Sequence, residues 1–132
     1  MKTRTVWKVD HHFESFEGSQ TISLDGNRKL GFNPKAMLLS SLAGCTGIDV
    51  VDILKKMRVE LLALEIEVEA EQTEEHPKVF KDIHIRYLAK TDPSNRDKLV
   101  RAIELSLNKY CGVAAMLRKN SEIHYTLEIE HG

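Results

Sequence analysis

The sequence predicts an α+β fold built around one long apolar helix, and three observations carry that prediction. Residues 33–57, NPKAMLLSSLAGCTGIDVVDILKKM, are an apolar run of helix length. Segments on either side of it alternate apolar and polar residues at every second position, the period of a half-buried strand. The strand and helix signals follow the order β-β-β-α-β-β-α-α-β, which lacks the βαβαβ rhythm of a doubly wound nucleotide-binding fold. With 132 residues the chain suits a single domain, 1–132.

The first strand is expected over residues 3–9, TRTVWKV, rich in β-branched and aromatic residues. A second, over residues 12–16, leads through Glu17-Gly18 to a third over residues 20–24, which Asp25-Gly26 ends. Together they predict a meander, and residues 25–32, DGNRKLGF, are a turn-rich connection into the central helix. That helix has a start signal in Asn33-Pro34, a side-chain acceptor followed by a residue that needs no donor. Met37, Leu38, Leu42, Cys45, Ile48, Val51, Leu54 and Met57 recur at steps of three and four, and Leu39, Val50 and Ile53 widen the apolar surface, as in a buried helix. Lys55, Lys56 and Arg58 suit the negative end of its dipole. Ser40, Ser41, Ala43, Gly44, Thr46 and Gly47 surround Cys45 with small residues. Two glycines inside a helix cost about 1 kcal/mol each, so close approach of another backbone or a pocket is expected there.

Beyond Arg58 the period changes. Leu62, Leu64, Ile66, Val68 and Ala70 alternate with Glu65, Glu67, Glu69 and Glu71, whose acidic face reads as solvated. A turn over residues 74–77 returns the chain into Ile83, Ile85 and Tyr87, alternating with Asp82, His84 and Arg86, so the two strands predict a hairpin. Asp92-Pro93 repeats the cap-plus-proline start, with Leu99, Val100, Ile103 and Leu107 as the stripe of a second helix. The stripe breaks near residues 108–110, and CGVAAML then predicts a short third helix with Cys111 at its head. Ile123, Tyr125, Leu127 and Ile129 make the last strand.

Nineteen basic and 20 acidic residues leave a formal charge of -1, which argues against nucleic acid or an anionic membrane as partner. The N-terminus lacks an apolar signal core, and Asp49 and Asp52 interrupt the apolar helix, so neither export nor membrane spanning is expected and a cytoplasmic protein is. The helix is more apolar than one sheet face requires, which points to a second subunit packed on it.

Two cysteines in such a chain read as catalytic, redox-active or simply buried. Cys45, on a buried helix, fits a packed structural thiol as well as a reactive one. Cys111, at a helix N-terminus with Lys109 nearby, is placed where the dipole favours thiolate. As a pair they permit sulfenic acid formation on one and resolution by the other, which requires Cα atoms within about 7 Å. Asp49, four residues after Cys45, shares its helix face and suits a polar network, because its negative charge opposes thiolate formation. The six histidines show no metal-ligand spacing and read as surface residues, so no metal site is expected; nor is there a GxGxxG, P-loop or GxSxG motif.

In NPKAMLLSSLAGCTGIDVVDILKKMR, KVFKDIHIRYLAK and LNKYCGVAAMLRK, taken in that order over nearly the whole chain, the sequence resembles the OsmC/Ohr family of osmotically inducible and organic hydroperoxide resistance proteins, in its OsmC-like branch. The resemblance implies an OsmC-like fold, an intertwined homodimer with paired central helices, and thiol-dependent reduction of organic hydroperoxides or hydrogen peroxide. It implies Cys45 as the attacking thiol and Cys111 as the resolving one, a dithiol or lipoylated-protein reductant, and neither metal nor flavin cofactor. The family's peroxidases carry a glutamate in the first helical turn, nine or ten residues before the cysteine, and an N-terminal arginine; here those helix positions are Ala36 and Lys35. Arg28, ahead of Arg4, is the available arginine, and Lys35 offers a positive charge without the planar guanidinium fork. An alternative expectation follows from that departure: a non-catalytic redox-sensing or small-ligand-binding protein on the same fold.

Overall fold

Six strands and three helices follow one another in the order the sequence predicts, in a computed structural model that describes residues 1–132. The strands are β1 (Arg4–Val9), β2 (His12–Glu17), β3 (Gln20–Asp25), β4 (Ala63–Gln72), β5 (Phe80–Lys90) and β6 (Ile123–Glu130). The helices are α1 (Pro34–Lys56), α2 (Arg96–Leu105) and α3 (Gly112–Arg118). By contacts the chain divides into two compact units, Met1–Leu39 and Ser40–Gly132.

In the first unit β1, β2 and β3 form an antiparallel meander. Trp7 Nε1 donates to the carbonyl of Asp10 at 2.9 Å and so ties the first turn. The buried Asp25 organises the connection that follows: its carboxylate accepts from the backbone N–H of Asn27 at 2.8 Å and of Leu30 at 3.1 Å. These donors, Asn27 foremost, hold its carboxyl below the usual range. The returning backbone lies so close to β3 that a Cβ on Gly31 would collide with the main chain of Ser23 and Leu24.

The second unit is a three-stranded sheet in the order β4-β5-β6, with helices on one face. The predicted hairpin is present, β4 running antiparallel to β5. β6 lies parallel to β5, since α2 and α3 intervene and carry the chain back to the same end of the sheet. Ile83, Ile85, Tyr87 and Ala89 of the central strand are wholly buried on the helical face. On the opposite face the Arg86 guanidinium bridges Glu67 and Glu128 across the neighbouring strands, a solvated cluster as the charge pattern predicts. Asp92 caps a short 3₁₀ turn (Pro93–Asn95), accepting from Ser94 N at 2.9 Å, and α2 begins after it.

α1 starts where expected: Asn33 Oδ1 accepts from Lys35 N at 3.0 Å, and Lys55 and Lys56 lie in the last turn. Its burial differs from expectation. Only Leu42, Thr46, Val50 and Leu54 are buried, a single row at steps of four, whereas Ile48 is 66% exposed and Val51 is also exposed. One sheet face covers one stripe of a helix, so the remaining apolar surface lies open within the chain. Nor do Asp49 and Asp52 disqualify the helix from membrane-spanning length and composition, which its 23 residues satisfy. Hydrogen bonds that join Thr46 to Tyr87, and Asp49 as acceptor to Ser106, nevertheless make it a packing helix in this fold.

The crowding at Gly31 has a measurable consequence. Gly31→Ala is expected to lower the unfolding free energy by about 1–3 kcal/mol, because the methyl must push backbone apart, and urea denaturation reads this directly; an unchanged midpoint would contradict the close approach.

Candidate functional site

Cys111 is positioned by an interruption of helical geometry. α2 does not stop at Leu105 but widens into a π-type turn over Ser106–Tyr110, in which the Cys111 N–H reaches back five residues to the Ser106 carbonyl at 2.7 Å. Such turns free carbonyl groups from their usual partners; here Arg118 Nη1 donates to the Leu107 carbonyl at 2.9 Å. The chain then restarts as α3 with Cys111 as its N-cap, Sγ accepting from Ala114 N at 3.4 Å.

Cys45 projects from α1 beside this turn. Both cysteines are free thiols, Cys45 half-buried and Cys111 buried with 3% of its surface exposed, and Cys45 is near enough to help raise the Cys111 thiol. The tertiary structure thus joins two residues that lie 66 positions apart in sequence. Cys45 is less buried than the sequence suggests, because it lies off the buried row of α1.

A chain of buried hydroxyls runs beside the thiols. Thr46 Oγ1 lies 2.8 Å from Tyr87 Oη and 2.8 Å from Ser106 Oγ, and Ser106 donates to Asp49 Oδ2 at 2.9 Å. Each hydroxyl has one proton to give. Since Ser106 gives its proton to the carboxylate, Thr46 donates to Ser106 and Tyr87 donates to Thr46. All three hydroxyl-bearing residues are wholly buried. Burial raises the Tyr87 phenol well above its ordinary value, which keeps it a donor.

Electrostatics correct one expectation. The helix dipole and the Ala114 N–H favour a Cys111 thiolate, yet its thiol is pushed up from 9.0 to about 11. Desolvation is the leading cause, outweighing the Ala114 donor, and the neighbouring Cys45 and the Asp49 carboxylate add to it. A helix of seven residues contributes little against full burial. Cys111 is therefore a neutral thiol at physiological pH. The Lys109 ammonium, expected to add to that field, stands over the Tyr110 ring, 5.3 Å from the centroid.

Of the other residues singled out, Asp49 occupies the polar network expected of it. Arg28 is exposed in the turn after β3 with φ of 57°, and Lys35 is half-buried in the first turn of α1, which contains no acidic residue. Ser106 escapes the sequence reading, and Tyr87 enters it only as a strand residue, not as a member of the site. Their signal is a hydroxyl at a core-facing position: Tyr87 continues the row Ile83, Ile85, and Ser106 falls three residues after Ile103. Parallel pairing of β5 and β6 also assembles Asp82, Glu122 and His124 with their ligand atoms within 4.8 Å of one another, all exposed. His124 already faces Glu122 there, at 3.5 Å.

The sequence model of the OsmC-like protein family matches residues 25–126. This chain belongs to the OsmC-like family. It is 35% identical over 132 residues to Protein YhfA of Escherichia coli K12, with 98% of each chain covered. Among solved structures, the OsmC-like fold seen here superposes on a hypothetical protein from Aquifex aeolicus VF5 with a TM-score of 0.83 at 31% identity, over 98% of this chain and 96% of that one. The organic hydroperoxide resistance protein OhrB of Bacillus subtilis aligns over 96% of both chains with a TM-score of 0.65 and 18% identity, a likeness of fold.

The buried Cys111 thiol links stability to pH. Its folded-state value lies above that of the unfolded chain, so the folded protein holds the proton more tightly and its stability is full below about pH 9. Under reducing conditions the wild type should lose stability relative to Cys111→Ala as pH rises from about 9 to about 11. Parallel denaturation curves for the two proteins across that range would refute the raised value.

Proposed function

We propose that this OsmC-like protein is a cytoplasmic thiol peroxidase that reduces organic hydroperoxides or hydrogen peroxide through Cys45 and Cys111. The observation that carries this reading is the meeting of two free thiols, one half-exposed and one buried and neutral. In the reaction the Cys45 sulfur attacks the terminal peroxide oxygen, the O–O bond breaks, and the alcohol or water leaves with a proton while Cys45 becomes sulfenic acid. Cys111 then attacks that sulfur; the S–S bond forms, the S–O bond breaks, and water departs with the Cys111 proton. A dithiol, small or lipoyl-bound, then gives up two hydrogens and restores both thiols. Names of fold neighbours such as OhrB are consistent with this chemistry.

The first turn of α1 favours a second reading. Lys35 and Ala36 stand where the family's peroxidases carry an acid, and no acidic residue lies in that turn. Without that carboxylate the protein would act as a redox sensor or small-ligand carrier that forms the disulfide or binds its ligand without rapid turnover.

Consumption of an alkyl hydroperoxide in the presence of a dithiol separates the two. Wild type should turn over continuously and Cys45→Ser should fall to the uncatalysed rate, whereas equal rates for both proteins reject Cys45 as the attacking thiol. One equivalent of peroxide consumed, followed by arrest despite fresh dithiol, supports the sensor.

We further propose that a second copy of the chain covers the open face of α1. Ala43, Gly44, Gly47, Ile48 and Val51, with Leu64 and Ile66 of β4 and one charged residue, Asp52, line a mostly apolar groove of about 530 Å³, and apolar surface of this extent marks association. The wild type is then a dimer by sedimentation, and Ile48→Asp shifts it to monomer; a monomeric wild type at micromolar concentration would discard the proposal.

A further inference from the structure

We propose that Ser106 is the positioning residue of the thiol pair: by tying the turn that carries Cys111 to the helix that carries Cys45, it sets the stability of the Cys45–Cys111 disulfide. The proposal rests on the reading above that these two thiols interconvert with a disulfide, and adds the residue that governs the interconversion.

Ser106 is bonded in two directions at once. Through its main chain it accepts the Cys111 N–H at 2.7 Å, which closes the wide turn immediately before the cysteine. Through its side chain it meets Thr46 Oγ1 at 2.8 Å and Asp49 Oδ2 at 2.9 Å, the residues one and four places beyond Cys45 on α1. Thr46 is in turn held to the sheet by Tyr87 at 2.8 Å. One buried serine therefore couples the backbone at one cysteine to the side chains flanking the other.

The chemistry makes such coupling matter. Disulfide formation has narrow geometric requirements on Cα separation and on the torsion about the sulfurs. Two thiols on separate elements meet them often only if those elements are held in register, and fixed placement raises the effective concentration of one thiol at the other. A π-type turn has irregular hydrogen bonding and little intrinsic rigidity of its own. Here the rigidity comes from the Ser106 hydroxyl, with no exposure to water that could replace its partners. Removing that hydroxyl also leaves the Thr46 donor without an acceptor, so the loss spreads to α1.

The test is equilibrium of the full-length protein with oxidised and reduced dithiothreitol. Transfer of two hydrogens from the protein thiols opens the cyclic disulfide of the reagent, and free thiols are read by alkylation and mass. Ser106→Ala is expected to lower the equilibrium constant for the protein disulfide about tenfold, a potential about 30 mV less reducing. Thr46→Val, which keeps the shape and loses the hydroxyl, should behave alike, and Thr46→Ser, which keeps the hydroxyl, should stay near wild type. Thermal midpoints are recorded alongside, since a merely structural serine would lower the midpoint and leave the potential where it was. Potentials of Ser106→Ala and Thr46→Val equal to wild type overturn the proposal while the thiol chemistry stands. If Ser106→Ala does not fold, the two Thr46 variants decide by the same criterion. A wild-type protein that forms no disulfide at any reagent ratio overturns the thiol reading and this proposal with it.

Discussion

Three hydroxyl groups sealed from water, those of Tyr87, Thr46 and Ser106, impose the constraint on which the larger unit of this protein depends. A buried hydroxyl without a partner costs on the order of 1–3 kcal/mol, a sizeable share of a domain's whole stability. Their mutual hydrogen bonds, ending on the Asp49 carboxylate, avoid that cost only if β5, α1 and the turn after α2 keep their positions to within a few tenths of an ångström. Apolar packing holds the same elements together, but it tolerates sliding; directional bonds do not. The directed chain therefore specifies the register in which the hydrophobic core closes.

The thiols inherit their setting from that arrangement. Cys111 sits behind the turn that Ser106 closes, and Asp49, which ends the chain, adds its negative charge to the desolvation that keeps Cys111 protonated. Two local influences on Cys111 oppose each other. A short helix dipole and one backbone donor favour the anion by an amount typical of exposed helix ends, about 0.3–1 kcal/mol, while burial of an unpaired charge costs several. Burial wins. In the proposed peroxidase cycle a neutral Cys111 would not compete with Cys45 for the peroxide, and it would still carry the proton that departs with water.

α1 reconciles two demands on one surface. Its buried row of Leu42, Thr46, Val50 and Leu54 serves the sheet, and the small residues Ala43, Gly44 and Gly47 keep its open side low. A Cβ on Gly47 would stand 3.1 Å from the Ile66 methyl, so the helix lies close on β4 there, whereas one on Gly44 would meet nothing within 4 Å. One glycine of the pair thus serves packing within the chain, and the other leaves space that the chain itself does not fill.

Much of this was legible in residue order. Strand alternation, the Asn33-Pro34 and Asp92-Pro93 starts, the break in the stripe after α2 and the place of Cys111 at a helix head are local properties, written in neighbours a few residues apart, and all of them appear in the structure. The motifs around Cys45 and Cys111 sufficed to indicate the OsmC-like family. Tertiary structure decided what depends on distant partners: that β6 runs parallel to β5, that only one row of α1 is covered within the chain, and that Cys111 is a neutral thiol despite its helix end. It alone brought Ser106 and Tyr87 to Thr46 and Asp49. Hydroxyls at core-facing positions announce that partners are required; which partners they find is set by packing across 41 and 60 residues of chain, and no local pattern encodes that distance.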